Sequence, residues 1–96
     1  MQTALTFLDA ETLVVAQGAE AESMFVIQRG RCSVWRGEAV DAPREVLAEL
    51  GPGDVFGELG LLHQRERSAN VSCIEACVLL EVSAETLRSV LDRSIH

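Results

Sequence analysis

The sequence has few of the positively charged residues that nucleic-acid-binding surfaces require. Its basic residues are eight arginines with no lysine, they stand against fifteen acidic residues, and the formal net charge is −7. A protein surface that contacts a duplex normally carries a positive face. We therefore expect no direct contact between this domain and nucleic acid, and any anionic ligand must be held by local donors rather than by the overall field.

Long apolar runs are also missing. No stretch of the sequence approaches the roughly 18 consecutive apolar residues of a membrane-spanning helix, and no positively charged start precedes an apolar signal segment. We expect no membrane contact by this domain. The composition, with 48% hydrophobic and 24% charged residues, is typical of a globular protein.

The residues that usually build metal centres and nucleophilic active sites are scarce. There are two histidines, His63 and His96, and three cysteines, Cys32, Cys73 and Cys77, which lack a C-x-x-C spacing. Each cysteine lies in or beside an apolar run, so we expect buried, reduced thiols in a cytoplasmic protein. Because no histidine cluster and no Ser-His or Cys-His pair with an orienting carboxylate is recognisable, we expect no metal, no cofactor and no enzymatic activity.

Short strands dominate the predicted structure, and 96 residues allow one small domain. Runs of β-branched and apolar residues separated by turn residues predict a compact antiparallel roll or barrel. The predicted strands are 3–8, 12–16, 24–27, 32–35, 45–50, 69–75 and 77–82. The pair 24–27 and 32–35 flanks Arg29 and Gly30 and is predicted to form a hairpin.

A helix is predicted at the end of the sequence. Ser83 interrupts the strand pattern and can cap the helix, and Glu85 lies favourably in its first turn. Four apolar residues then follow at helical spacing and are expected to pack on the roll. They are Leu87, Val90, Leu91 and Ile95.

The stretch 51–71 differs from the rest because four of the seven glycines fall within ten of its residues. Residues 51–54 predict a turn, and 58–62 predict a short helix whose first N–H groups can bind an anion. Arg67 can offer a planar fork of donors to a phosphate, and Glu58 can accept a hydrogen bond from a sugar hydroxyl. Together these features predict a site for a sugar phosphate.

Residues 56–62 and 66–69, reading Phe-Gly-Glu-Leu-Gly-Leu-Leu and Glu-Arg-Ser-Ala, resemble the phosphate-binding cassette of cyclic nucleotide-binding domains. The similarity is greatest to the bacterial cyclic-AMP receptor (catabolite activator) branch, although many members have proline in place of Glu66.

The resemblance implies a mainly β fold, an antiparallel, jelly-roll-like β-roll with a short phosphate-binding helix and a C-terminal hinge helix. It also implies that Glu58 binds the ribose 2′-hydroxyl, that Arg67 binds the cyclic phosphate, and that nearby N–H groups bind phosphate oxygens. The ligand-binding residues predicted in this way are Phe56, Gly57, Glu58, Leu59, Gly60, Arg67, Ser68 and Ala69. The side chains of Phe56, Leu61 and Leu62 are themselves expected to lie in the core.

The resemblance implies a regulatory sensor that binds cyclic AMP, favoured over cyclic GMP, and relays a conformational change to an effector domain. The alternative is an interaction or assembly module that keeps the β-roll without its ligand. Family members usually continue into a lid helix and an output domain that are not recognisable here, so residues 1–96 are expected to be a single domain of a larger protein. The effector (channel, transporter, kinase, esterase or transcription factor) and the oligomeric state stay open. The domain is expected in the cytoplasm or on the cytoplasmic face of a membrane protein.

Overall fold

A computed structural model describes residues 3–37, 43–57 and 66–94 of the protein. Within these residues the chain forms two four-stranded antiparallel sheets, with strand orders β1-β8-β3-β6 and β2-β7-β4-β5. The elements are β1 (Thr3–Leu8), β2 (Leu13–Val15), β3 (Ser23–Arg29), β4 (Cys32–Arg36), β5 (Glu45–Leu50), β6 (Val55–Phe56), β7 (Asn70–Cys73), β8 (Cys77–Ser83) and the helix α1 (Ala84–Ser94).

The path of the chain alternates between the two sheets. Apart from β4 and β5, which pair with each other, each strand belongs to the opposite sheet from the strand before it. This alternation is what produces a β-roll, and the predicted antiparallel β-roll with a C-terminal helix is confirmed. The short helix predicted at 58–62 lies outside the described residues. No helix among the described residues is long and apolar enough to cross a membrane.

The predicted hairpin of β3 and β4 is wrong. β3 pairs with β6 and β8, whereas β4 pairs with β5 and β7, so the two strands lie in different sheets. Gly30 between them has φ of 89°, and a Cβ there would lie only 2.6 Å from Cys77 Sγ. The glycine therefore serves a corner where the chain crosses from one sheet to the other beside β8. A glycine with positive φ can serve a hairpin turn or a corner, which is why the sequence did not distinguish them.

The hydrophobic core lies where the inward faces of the two sheets meet. Along β3, residues 23, 25 and 27 are buried and alternate with partly exposed neighbours, as expected for a strand with one face in the core. Burying each large apolar side chain stabilises the fold by roughly 1.5–3 kcal/mol. The buried apolar residues are Phe25, Ile27, Cys32, Phe56, Val71, Cys73, Cys77 and Leu79. The burial predicted for Phe56 and the three cysteines is confirmed.

The start of α1 agrees with the sequence, but its packing does not. Ser83 Oγ accepts a hydrogen bond of 3.2 Å from the N–H of Thr86, so the predicted N-cap is confirmed. The predicted apolar stripe is wrong at Val90, which is 47% exposed, whereas Thr86 is 8% exposed. Leu87 is partly buried and residues 88–90 are exposed, so the described part of α1 is buried mainly near its first turn. Ile95 and the side chain of Leu91 lie outside the described residues.

Candidate functional site

The backbone of Arg67 is fixed by the loop that connects β2 to β3. The N–H of Arg67 donates to Ala19 O at 2.8 Å, and Gly18 N donates to Arg67 O at 2.9 Å. The loop is itself attached to β7, because the N–H of Gln17 donates to Oδ1 of the buried Asn70 at 2.8 Å. Hydrogen bonds therefore hold the backbone of Arg67 in place, and its side chain extends from it in a defined direction.

The guanidinium of Arg67 is held by two backbone carbonyl groups. Nη1 donates to Gly57 O at 3.0 Å, and Nη2 donates to Ser23 O at 2.5 Å. Ser23 is the first residue of β3, and Gly57 directly follows β6, which is the neighbour of β3 in the sheet. Since a guanidinium has five N–H donors, these two bonds orient it and leave donors for a further acceptor.

Gly57 can accept this contact because it has no side chain. Its φ is 86°, and a Cβ at this position would overlap Nη1 of Arg67 and lie 3.2 Å from Ser23 O. The preceding residue, Phe56, is anchored in the core by stacking on Phe25 with a ring-centroid distance of 5.1 Å. The beginning of the predicted cassette is thus built against β3 at a point where only glycine fits.

The charge of Arg67 lacks a direct counterion among the described residues. Arg67 is 8% exposed, and the ion pair found in the described ranges is Arg31–Glu49 at the surface. Among the described residues, the carboxylate that acts electrostatically on Arg67 is Glu81, whose Oε2 accepts a hydrogen bond of 2.7 Å from Ser23 Oγ. Burial lowers the pKa of Arg67 from its ordinary value, and the carboxylate of Glu81 offsets this only in part. A buried cation with spare donors and no carboxylate in contact is suited to bind an anion.

Five of the eight predicted ligand-binding residues are among the described residues. Phe56, Gly57 and Arg67 are brought together as described above. Ser68 is exposed and its carbonyl accepts a hydrogen bond of 3.2 Å from Arg36 Nε, while Ala69 is partly buried. Three predicted ligand-binding residues lie outside the described residues, and their roles stay predictions. These are Glu58, Leu59 and Gly60.

Sequence reasoning missed the residues that support Arg67 from the neighbouring strands. In the register of β3 and β8, Ser23 pairs with Ser83 and Phe25 pairs with Glu81, which brings Glu81 beside Ser23. These residues are 58 positions apart in the chain. No local motif marks either of them, so only the strand pairing could reveal the connection.

The fold is a β-roll, and the site holds a buried guanidinium suited to bind an anion. The family model of the cyclic nucleotide-binding domain matches residues 5–94. The chain therefore belongs to the cyclic nucleotide-binding domain family, and the family predicted from residues 56–69 is confirmed. Within this family the chain is a regulatory domain that binds a cyclic nucleotide.

Known proteins similar to this chain include regulators from eukaryotes and bacteria. It is 32% identical to a cAMP-dependent protein kinase regulatory subunit of Mycosarcoma maydis over 88% of its own length and 18% of that protein. It is 31% identical to the cyclic AMP receptor protein of Thermus thermophilus, over 80% of its length and 35% of that protein. The co-crystal structure of the regulatory domain of Toxoplasma gondii PKA with cAMP superimposes with a TM-score of 0.83 at 30% identity, covering 91% of this chain and 33% of that one. The chain thus spans about a third or less of each of these proteins.

Proposed function

We propose that this domain is a sensor that binds cyclic AMP in preference to cyclic GMP and relays the binding to an effector elsewhere in a longer protein. The observation that carries the proposal is the buried guanidinium of Arg67, which is oriented by two carbonyl groups and has no carboxylate in contact among the described residues. An exocyclic oxygen of a cyclic phosphate supplies the negative charge and acceptor that this guanidinium lacks.

In the proposed complex Arg67 donates to the phosphate through N–H groups that Gly57 and Ser23 leave free. Because the two carbonyls already hold the side chain, little conformational entropy is lost when the phosphate binds. Glu58 accepts the hydrogen bond of the ribose 2′-hydroxyl. The N–H groups around Leu59, Gly60 and Ser68 or Ala69 complete the ring of phosphate donors.

The preference for cyclic AMP rests on the similar proteins described above, each of which has cAMP in its name or in its crystal. It needs a direct test, because the chain is also 35% identical to a cGMP-dependent protein kinase of Drosophila melanogaster over 70% of its length. Ser68 does not decide the preference, since its hydroxyl can serve either purine. The proposal of a longer protein is supported by the small share of those relatives that the chain spans, 18% and 35%. In this longer protein, residues 1–96 form one nucleotide-binding domain, and a separate effector domain receives the signal.

The relay begins at the junction of Arg67 with β3. Ser23 O holds Nη2 of Arg67, and the carbonyl of the preceding residue, Glu22, accepts a hydrogen bond of 2.9 Å from the N–H of Ala84, the first residue of α1. A phosphate bound by the remaining N–H groups of Arg67 therefore adds a contact at the strand end to which α1 is attached. The nucleotide shifts the position of α1 only by its difference in affinity between the two positions.

Isothermal titration calorimetry with cyclic AMP, cyclic GMP and 2′-deoxy cyclic AMP tests this function. We expect one site, tighter binding of cyclic AMP than of cyclic GMP, and weaker binding of the 2′-deoxy compound by about 1.5–3 kcal/mol, the scale of a hydrogen bond to a charged group. In Glu58→Gln the difference between cyclic AMP and its 2′-deoxy form should shrink. Equal affinities for the two purines would contradict the preference, and absence of binding by all three would favour a ligand-free interaction module.

A further inference from the structure

Three cysteines that are far apart in the sequence meet in the core. Cys32 lies on β4, Cys73 on β7 and Cys77 on β8, so both sheets contribute. Their Sγ atoms all lie within 4.8 Å of one another, and those of Cys32 and Cys77 are 3.8 Å apart. The side chains are 0%, 2% and 3% exposed, in chain order. The spacing in the sequence shows no metal motif because the convergence depends entirely on the pairing of the strands.

The spacing of the sulfur atoms fits a single centre bound by three sulfurs. Bonds of about 2.3 Å from a metal to each sulfur place the sulfurs of a planar three-coordinate site about 4 Å apart, and closer in a pyramidal one. A pyramidal site places the sulfurs about 3.5 Å apart. The 3.8 Å separation is close to this value, and closing the widest separation, at most 4.8 Å, requires each of the two sulfurs to move by less than about 1 Å. Side chains on three strands can supply such a movement by small rotations of χ1.

The surroundings of the cluster favour neutral sulfur over thiolate. Among the described residues, the polar contacts of these sulfurs are with each other and with two backbone carbonyl groups, Arg31 O and Glu75 O, each 3.3 Å from Cys77 Sγ. Carbonyl oxygens accept from an S–H group and repel a thiolate. Burial accordingly raises the pKa of Cys73 to about 11 and raises the pKa of Cys32 further. An ion bound here should therefore form a complex with the sulfurs that has no net charge.

Charge decides between the thiophilic ions. A divalent ion such as Zn²⁺ bound by three thiolates has a net charge of −1, and a monovalent ion such as Cu⁺ has −2. Either charge is costly in an apolar interior where none of the described residues donates an N–H group to the sulfurs. A trivalent centre bound by three thiolates is neutral. Among thiophilic elements, trivalent arsenic and antimony have this charge and prefer three sulfur ligands in a pyramid.

We propose that Cys32, Cys73 and Cys77 form a binding site for a trivalent thiophilic metalloid, with arsenic(III) as its simplest occupant. Arsenous acid, As(OH)₃, reacts with the three thiols so that three As–OH and three S–H bonds break, three As–S bonds form and three water molecules leave. Arsenic stays trivalent and no oxidant or reductant takes part. Since the sulfurs are almost fully buried, the metalloid enters when the sheets open locally, and binding is slow.

Native mass spectrometry of the chain with sodium arsenite, after reduction with a phosphine rather than a dithiol, tests the proposal. The expected product has the mass of the reduced chain plus one arsenic atom minus three hydrogen atoms. Its thermal unfolding midpoint should be higher than that of the free chain, because the three As–S bonds join β4, β7 and β8 and restrict the unfolded chain more than the folded one. No adduct, an adduct with a thiol still open to alkylation after denaturation, or a lowered midpoint would each overturn the proposal.

Matched variants separate the three-sulfur site from general reactivity. Cys73→Ala should lose the adduct that lacks three protons, whereas Val71→Ala, which also removes buried volume from β7, should keep it. If Cys73→Ala does not fold, the proposal is tested by the unaltered chain alone, through the number of hydrogen atoms lost in its adduct and its thermal unfolding midpoint. Titration of the unaltered chain with Zn²⁺ in place of arsenite tests the charge argument, which is contradicted if zinc binds more tightly than arsenite.

Discussion

Arg67 and Gly57 depend on each other in this structure. The carbonyl of Gly57 orients Nη1 of Arg67, and the absence of a side chain at Gly57 leaves the space that Nη1 occupies. Burying a guanidinium that has no carboxylate in contact among the described residues is costly, which favours a role of Arg67 in binding an anion over a role in packing alone.

Replacing Gly57 by alanine should therefore affect both folding and ligand binding. The added Cβ overlaps Nη1 of Arg67 and imposes φ of 86° on an L residue, which costs on the order of 1–3 kcal/mol. We expect a lower free energy of unfolding in urea and weaker binding of cyclic AMP by calorimetry.

Gly53→Ala is the matched control for this change. Gly53 has φ of 90°, but a Cβ there has nothing within 4 Å. Gly53→Ala should lower the free energy of unfolding through backbone strain alone and leave the affinity for cyclic AMP unchanged. If both variants bind the nucleotide as tightly as the unaltered chain, the contact between Gly57 and Arg67 is irrelevant to the ligand.

The residues of the site could be predicted only where they are consecutive in the sequence. Phe56, Gly57 and Arg67 belong to a short string whose chemistry is recognisable without a fold. Ser23 and Glu81 support the same guanidinium, yet in the sequence Ser23 only precedes the predicted strand 24–27 and Glu81 is one residue of the predicted strand 77–82. Their contribution comes from the register of β3 on β8, which local sequence does not specify.

Among the elements, α1 combines a predictable beginning with less predictable packing. The oxygen of Ser83 satisfies a free N–H at the start of the helix, a role that the sequence pattern predicts well. Seven of the eight strands in the described residues were predicted in the same way, since β-branched runs and turn residues are local, whereas the two-residue strand β6 was not. Their partners were not, as the crossing at Gly30 demonstrates.

Removal of the cap should loosen the start of α1. Ser83→Ala deletes the acceptor for the N–H of Thr86 and should cost about 0.5–2 kcal/mol of unfolding free energy. Faster amide hydrogen exchange confined to the first turn of α1 would accompany the loss. Ser89→Ala, at an exposed position within the same helix, should change neither quantity by a comparable amount. Equal effects of the two substitutions would show that the hydroxyl of Ser83 does not cap α1.

For the whole molecule, the buried thiols predict that stability falls in alkaline solution. Folding raises the pKa of Cys73 from 9.0 to about 11 and raises that of Cys32 further. Between pH 9 and about 11 the unfolded chain has released thiol protons that the folded chain still holds, so the free energy of unfolding decreases as the pH rises. Below pH 9 these groups make no pH-dependent contribution.

Urea denaturation across this window measures the effect. The midpoint concentration should fall between pH 9 and 11 in the unaltered chain and fall less in Cys73→Ala. A midpoint that falls equally in both would assign the alkaline sensitivity to other groups.

The proposed function of the whole molecule depends on one buried guanidinium, Arg67, which binds the phosphate of a cyclic nucleotide. Calorimetric titration of cyclic AMP into Arg67→Ala tests it most directly, with Arg31→Ala, a surface arginine 49% exposed and paired with Glu49, as the control. Circular dichroism of each variant verifies the fold before titration. We predict that Arg67→Ala weakens binding by about 1.5–3 kcal/mol, roughly ten- to a hundredfold, and that Arg31→Ala does not change it. A folded Arg67→Ala that binds cyclic AMP as tightly as the unaltered chain would contradict the account.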